Sequence, residues 1–247
     1  MRKQLFSSGK YCLEGSLHRT ILKRNNMTKV ILMVAAVFAF NAAVAQQKKL
    51  TQKEKWEQKV AAYERKDAAD FPGKGIVVFT GSSSVENWKT LQRDFPDKKV
   101  LNRGISGTKT TDLGQYIARV ITPYKPRQIF LYIGDNDIGY KHVPDTILRD
   151  FKQLFFAIRK DNKKAEIVFM AIKPSPVRMK YLDNIEQTNE LIRSFMAIQP
   201  QTVYADTFHP LLTDNKQIVP EYYSKDGLHM TAEGYKIWAD VIRPLIK

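Results

Sequence analysis

Four short stretches of this 247-residue chain carry residue types able to act on a carbonyl group. Gly81-Ser82-Ser83-Ser84-Val85 closes an apolar run, so a serine hydroxyl would stand on a tight strand-to-helix turn. Nucleophilic catalysis uses that placement, and so does helix N-capping. Val85 stands where a G-x-S-x-G elbow would have its second glycine, so that motif is absent. Asn102-Arg103-Gly104-Ile105-Ser106-Gly107 precedes a threonine-rich helix start. A glycine there either brings a backbone N–H close to a ligand or makes a simple turn. Gly134-Asp135-Asn136-Asp137 offers an uncharged amide with two N–H donors, suited to a developing oxyanion or to an Asx-turn. Asp226-Gly227-Leu228-His229 lets a loop bend a carboxylate toward an imidazole, fixing its tautomer. His142 and His209 are read as ordinary polar residues outside any such pair. Two acids flank Asn136, but no further carboxylate or histidine follows at ligand spacing, so no metal is expected.

These groups need a scaffold. Residues 76–80, 100–101, 128–133, 166–172 and 202–205 are short, nearly continuous apolar runs. Such runs suit parallel strands covered on both faces. Between them lie helical patterns: Ile147, Phe151, Leu154, Phe155 and Ile158; a segment over 180–197 with Ile185, Ile192 and Phe195 inward; and a last helix from Ala232 with Tyr235, Trp238, Val241, Ile242 and Leu245. Ahead of the first strand, Thr51-x-x-Glu54 matches a capping box. Trp56, Val60 and Tyr63 behind it give residues 52–66 an amphipathic helix, broken at Pro72 and Gly73. The alternation predicts one α/β domain of five parallel strands, whose sites form beyond the carboxyl ends of the strands. A serine of 82–84, a glycine of the 104–107 segment and Asn136 each follow a strand, in order, and the Asp226–His229 pair precedes the last helix. Nucleophile, base, orienting acid and oxyanion donors would then share one rim.

This ordered set resembles the four blocks of the SGNH hydrolases, also called GDSL esterases. It is most similar to bacterial secreted members related to platelet-activating-factor acetylhydrolase subunits. The resemblance covers residues 74–247. It implies a three-layer α/β/α sandwich around a five-stranded parallel sheet of flavodoxin-like type. It further implies a catalytic triad of Ser83, His229 and Asp226, with an oxyanion hole from the N–H groups of Ser83 and Gly107 and the side chain of Asn136. The family's substrates are esters, from acetyl groups on carbohydrates to lysophospholipids and other lipids, and no cofactor is implied. Ser82 departs from the pattern, standing where the family has the aspartate of G-D-S; with three serines in a row, Ser84 is the alternative nucleophile.

The formal charge of +15 falls to +9 once residues 1–45 are set aside. A basic surface fits an acidic glycan or a solvated lysine-rich face, and no arginine-rich or aromatic-interleaved stripe calls for nucleic acid. Met27-Thr28-Lys29, an apolar run over 30–40 and Ala43-Val44-Ala45 read as a secretory signal peptide cleaved after Ala45, hence a secreted or periplasmic enzyme. Residues 1–26 read as a leader outside the functional protein, 27–45 as the signal, 46–73 as a helix and linker packed on the domain, and 74–247 as the hydrolase. Cys12 lies in the leader, so no disulfide framework or thiol nucleophile follows. The reading therefore expects a secreted serine esterase acting on a small-molecule or glycan acyl ester, with a short acyl group. It expects no nucleic-acid partner and no stable membrane insertion after cleavage. A lysophospholipase or thioesterase, and a non-catalytic binding module on the same fold, are its rivals.

Overall fold

The computed structural model describes Met33 and residues 49–247. The leader and the signal peptide, Met33 apart, lie outside the described residues. The compact unit Thr51–Lys247 begins with α1 (Gln52–Ala69). Its N-cap is the expected capping box: Thr51 accepts from the Glu54 N–H at 3.2 Å, and the Glu54 carboxylate accepts from the Thr51 N–H at 2.7 Å.

Strands and helices then alternate. β1 (Val77–Gly81) leads into α2 (Ser83–Glu86) and α3 (Leu91–Asp94); β2 (Val100–Gly104) into α4 (Thr110–Gly114) and α5 (Ile117–Val120). β3 (Gln128–Tyr132) is followed by α6 (Asp135–Gly139) and α7 (Pro144–Asp161), and β4 (Glu166–Met170) by α8 (Leu182–Ala197). β5 (Thr202–Ala205) and a long loop precede α9 (Ala232–Ile242). All strands are parallel, in the order β2-β1-β3-β4-β5.

The continuous apolar runs are explained by burial on both sheet faces. Ile129 and Leu131 of β3 pack with Ile167 and Phe169 of β4 under α1, α4, α5, α7 and α8. The intervening Phe130, Tyr132, Val168 and Met170 pack with Trp88, Trp238 and Ile242 on the other side. Side chains alternate across a strand, so both parities must be apolar in a three-layer sandwich. The apolar run after β4 outlasts the strand: Ile172 leaves the sheet, and Asn189 of α8 serves both its N–H (2.8 Å) and its carbonyl (2.9 Å). Leu245, expected in the last helical stripe, falls beyond the end of α9. Among the described residues, no helix is long and apolar enough to cross a membrane.

Candidate active site

Three neighbouring strands end level with one another. The register pairs Gly81 of β1 with Gly104 of β2 and with Tyr132 of β3. Because the chain leaves β1 for neighbours on both sides, the crevice at this switch point is where ligands of such sheets bind. Two glycines are dictated by close approach. At Gly81 (φ +132°) a Cβ would lie 1.8 Å from the Tyr132 carbonyl oxygen, and at Gly104 it would lie 2.2 Å from the backbone nitrogen of Glu86. The bare backbone at Gly104 lets α2 sit directly on the end of β2.

Ser83 is the first residue of α2. The N-cap is Ser82, whose side chain makes no capping bond. The Ser83 hydroxyl lies 3.0 Å from Nε2 of His229. Ser84 is buried, with its carbonyl taking the Tyr235 hydroxyl at 2.8 Å. Of the three serines, then, Ser83 meets the imidazole.

His229 is held from behind. Its Nδ1 lies 2.6 Å from Oδ2 of Asp226. Oδ1 of Asp226 accepts the N–H groups of Leu228 (2.9 Å) and His229 (3.0 Å) and the Ser224 hydroxyl (2.7 Å). Gly227, at φ +64°, makes the reversal that brings these donors round. Burial is the largest single influence on the Asp226 carboxyl and pushes its pKa up. The His229 bond, the two N–H groups and Ser224 together outweigh it and hold the pKa well below the ordinary value.

Across the crevice, Asn136 sits in the first turn of α6, and its Nδ2 donates to the Thr108 carbonyl at 2.9 Å. An amide carries a second N–H. Gly107 adopts φ +79° in the loop after β2. Among the described residues, no acceptor takes the N–H of Ser83 or of Gly107. The arrangement is a hydroxyl hydrogen-bonded to an imidazole, with unpaired backbone donors at Ser83 itself and at Gly107 in the loop after β2.

The acids beside Asn136 have structural partners. Oδ2 of Asp137 accepts both the N–H and the hydroxyl of Thr110 at 3.1 Å, tying α6 to the 108–110 loop. Burial raises its pKa. Asp135 meets Lys173 (2.7 Å), Arg178 (3.0 Å) and the Tyr132 hydroxyl (3.0 Å). Burial pushes its pKa up most strongly, yet Lys173 and Arg178 bring it below the ordinary value. The same 174–178 segment supports the other loop: the Val177 N–H donates to the Gly227 carbonyl (3.2 Å), and the Tyr223 hydroxyl to the Pro174 carbonyl (2.6 Å).

Two features depart from the sequence reading. His209 does have an acidic partner: its Nδ1 lies 2.7 Å from Oδ2 of Asp206, and the Asp206-x-x-His209 spacing was visible in the sequence. This pair lines a cavity of about 620 Å³ beside β5 with Glu186, Arg193, Tyr204 and Lys216. Ser83 does not line it, so the cavity is separate from the site described here. Asp137 also has a histidine and a carboxylate nearby, since His142 and Asp150 each bring a ligand-type atom within 4.8 Å of it and of each other. Asp150 arrives by folding of α7, which no local spacing foretells. Both carboxylates already have protein donors, Thr110 for Asp137 and Arg149 for Asp150.

A three-layer α/β/α domain with this rim belongs to the SGNH class of serine hydrolases, enzymes that cleave ester bonds. The chain matches the GDSL-like lipase/acylhydrolase family over residues 71–237, and it belongs to that family. In fold it is similar to a structure described as a platelet activating factor from Streptococcus pneumonia. The TM-score is 0.71 and the identity 23%, covering 87% of this chain and 99% of that one. It is also similar to an acetyl-xylooligosaccharide esterase from Geobacillus Stearmophilus, with TM-score 0.56 and 18% identity over 69% of this chain and 94% of that one. A curated relative is the N-acylneuraminate cytidylyltransferase of Escherichia coli O18:K1:H7, 23% identical over 211 residues, or 83% of this chain. The chain spans about half of that relative's length (48%).

Proposed function

We propose that the protein is an exported esterase that removes short acyl groups, acetyl first among them, from carbohydrate esters by way of Ser83, His229 and Asp226. The observation that carries this reading is the continuous relay from Asp226 to His229 (2.6 Å) to Ser83 (3.0 Å). In the reaction, the Ser83 hydroxyl attacks the ester carbonyl while its proton passes to Nε2 of His229. Asp226 keeps the imidazole in the tautomer that accepts there and stabilises the cation that forms. The tetrahedral oxyanion takes hydrogen bonds from the Ser83 N–H, the Gly107 N–H and the Asn136 amide. Collapse breaks the carbon–oxygen bond, His229 returns the proton to the leaving alcohol, and an acyl group remains on Ser83. Water then attacks with His229 again as base, releasing the acid and restoring the serine. Every step uses side chains and peptide groups of this chain.

The likeness to an acetyl-xylooligosaccharide esterase supports a carbohydrate ester. So does Tyr140, 67% exposed and one helical turn beyond Asn136, with the Lys109 ammonium 5.0 Å from its ring centre. Residues four apart share a helix face, so this ring borders the Asn136 side and offers a flat apolar surface to a sugar. The Met27–Ala45 signal fits a cysteine-free mature chain that carries the hydrolase domain at 74–247.

The test is a screen of acetylated sugars and acyl lipids of increasing chain length, with Ser83→Ala alongside. Turnover should be greatest on acetylated sugars and should vanish in the variant. Turnover preserved in Ser83→Ala would remove the nucleophile, and a preference for long acyl chains would favour a lipid-directed hydrolase instead.

A further inference from the structure

Helix α1 lies ahead of the family match, which begins at residue 71, yet one of its faces is spent on the loop that carries Gly107. Gln52, Trp56, Lys59 and Tyr63 recur at spacings of four, three and four, a single helical stripe. Three of them end in a polar group that bonds the end of β2 or the segment after it, and Lys59 reaches that segment through Glu86. The Tyr63 hydroxyl donates to the Gly104 carbonyl at 2.6 Å. Trp56 Nε1 donates to the Ser106 carbonyl at 2.9 Å, and Gln52 Nε2 to the same oxygen at 3.3 Å. Lys59 pairs with one oxygen of Glu86 at 2.8 Å, while the other accepts the Ser106 N–H at 2.7 Å. Glu86 is the last residue of α2, the helix that begins with Ser83.

The Ser106 carbonyl and the Gly107 N–H belong to one planar trans peptide, so they point in opposite directions. Two donors fixing the oxygen on the α1 side therefore aim the N–H away from α1. A bonded carbonyl also makes the N–H of the same peptide a better donor, because hydrogen bonds in a chain polarise one another. Gly107 at φ +79° turns the chain at once and leaves space, since a Cβ there would come within 3.0 Å of the Gln52 amide. We propose that α1 is part of the catalytic apparatus: Trp56, with Gln52 beside it, is a positioning residue that orients the Ser106–Gly107 peptide so that the Gly107 N–H meets the oxyanion. This inference rests on the assignment of Gly107 to the oxyanion site.

An oxyanion donor acts in the transition state more than in the ground state, so its misalignment lowers kcat and leaves KM nearly untouched. Complete loss of one donor costs about 10²–10³ in kcat. Trp56→Phe removes the N–H together with part of the indole and keeps an aromatic ring against Tyr116. We expect kcat on p-nitrophenyl acetate to fall by roughly 10-fold, and by about 100-fold in the Gln52→Ala/Trp56→Phe double variant, with KM within about twofold. Affinity for a trifluoromethyl ketone, which becomes a tetrahedral adduct on the nucleophile, should drop in parallel with kcat/KM. Gln52 is solvent-exposed and alanine favours helix, so Gln52→Ala alone keeps the test open if Trp56→Phe is poorly folded; its kcat should fall several-fold. Parental kcat in the folded variants, or a loss confined to thermal stability or to KM, would overturn the role of α1. Ser83→Ala run in the same assay separates the two readings. If it retains turnover, the site assignment itself has failed; if it is inactive while Trp56→Phe is unimpaired, only the helix's role has.

Discussion

Asp135→Asn puts the ion cluster behind the crevice to a quantitative test. The change removes one negative charge at nearly constant shape. Asp135 lies 2.7 Å from the Lys173 ammonium and 3.0 Å from Nε of Arg178, with side-chain exposures of 6%, 0% and 17% in that order. Each ion contact would be worth about 6 kcal/mol at these separations and an effective dielectric constant of about 20, and the desolvation of three ions offsets most of that sum. Removing the shared anion keeps the desolvation and discards the attraction. The cost of a broken buried pair is about 3–5 kcal/mol. In a domain of this size that lowers Tm by roughly 6–20 °C, read by far-UV circular dichroism at pH 7. The pH dependence fixes the cause. The Asp135 pKa is depressed in the folded protein from an ordinary value of 3.8, so its contribution is complete above that value and is lost as pH falls through the folded one. The Tm gap between parent and variant should hold from pH 7 to about 5 and close below about 4. A variant within about 2 °C of the parent at pH 7, or a gap that widens toward acid, would refute the argument.

Asn136→Ala should lower kcat on p-nitrophenyl acetate by about 10²–10³ with KM close to the parent's; a loss smaller than about threefold would remove the amide from the oxyanion site. His209→Ala, which breaks the second Asp–His pair, should leave turnover within about twofold of the parent's. A large loss there would mean that the cavity beside β5 takes part in turnover.

The strands and long helices were legible because each satisfies a local rule. The two-parity apolar runs require a covered parallel sheet, and all five members of the stripe from Ile147 to Ile158 are buried on α7, which buries Pro144 and Asp150 as well. The Thr51–Glu54 box marked the start of α1. Ser83, Gly107 and Asn136 could be placed because strand ends are marked by glycine and short polar residues, and parallel topology sends those ends to one rim. What stayed hidden was whatever depends on a distant partner. Lys173 reads as one more surface lysine until β4 and α6 bury it against Asp135. Trp56 reads as core, and only the approach of the Ser106 carbonyl reveals the use of its N–H.

The two Asp–x–x–His turns show where local reading must stop. In the first, Oδ1 of Asp206 accepts the N–H groups of Phe208 (3.2 Å) and His209 (3.1 Å), and Oδ2 meets His209 Nδ1 at 2.7 Å. In the second, Asp226 makes the same three contacts with Leu228 and His229 at 2.9, 3.0 and 2.6 Å. An aspartate that bonds backbone two and three residues ahead is a self-contained turn, and the imidazole it orients is a by-product of that geometry. Both turns therefore orient a histidine through the aspartate three residues before it, and the 174–178 segment adds support to the second. They differ in what stands beyond Nε2. His229 is 31% exposed and faces a hydroxyl 146 residues earlier in sequence, whereas His209 is 70% exposed and, among the described residues, has no hydroxyl bonded there. The turn supplies an oriented imidazole, and tertiary structure decides whether a hydroxyl meets its far nitrogen.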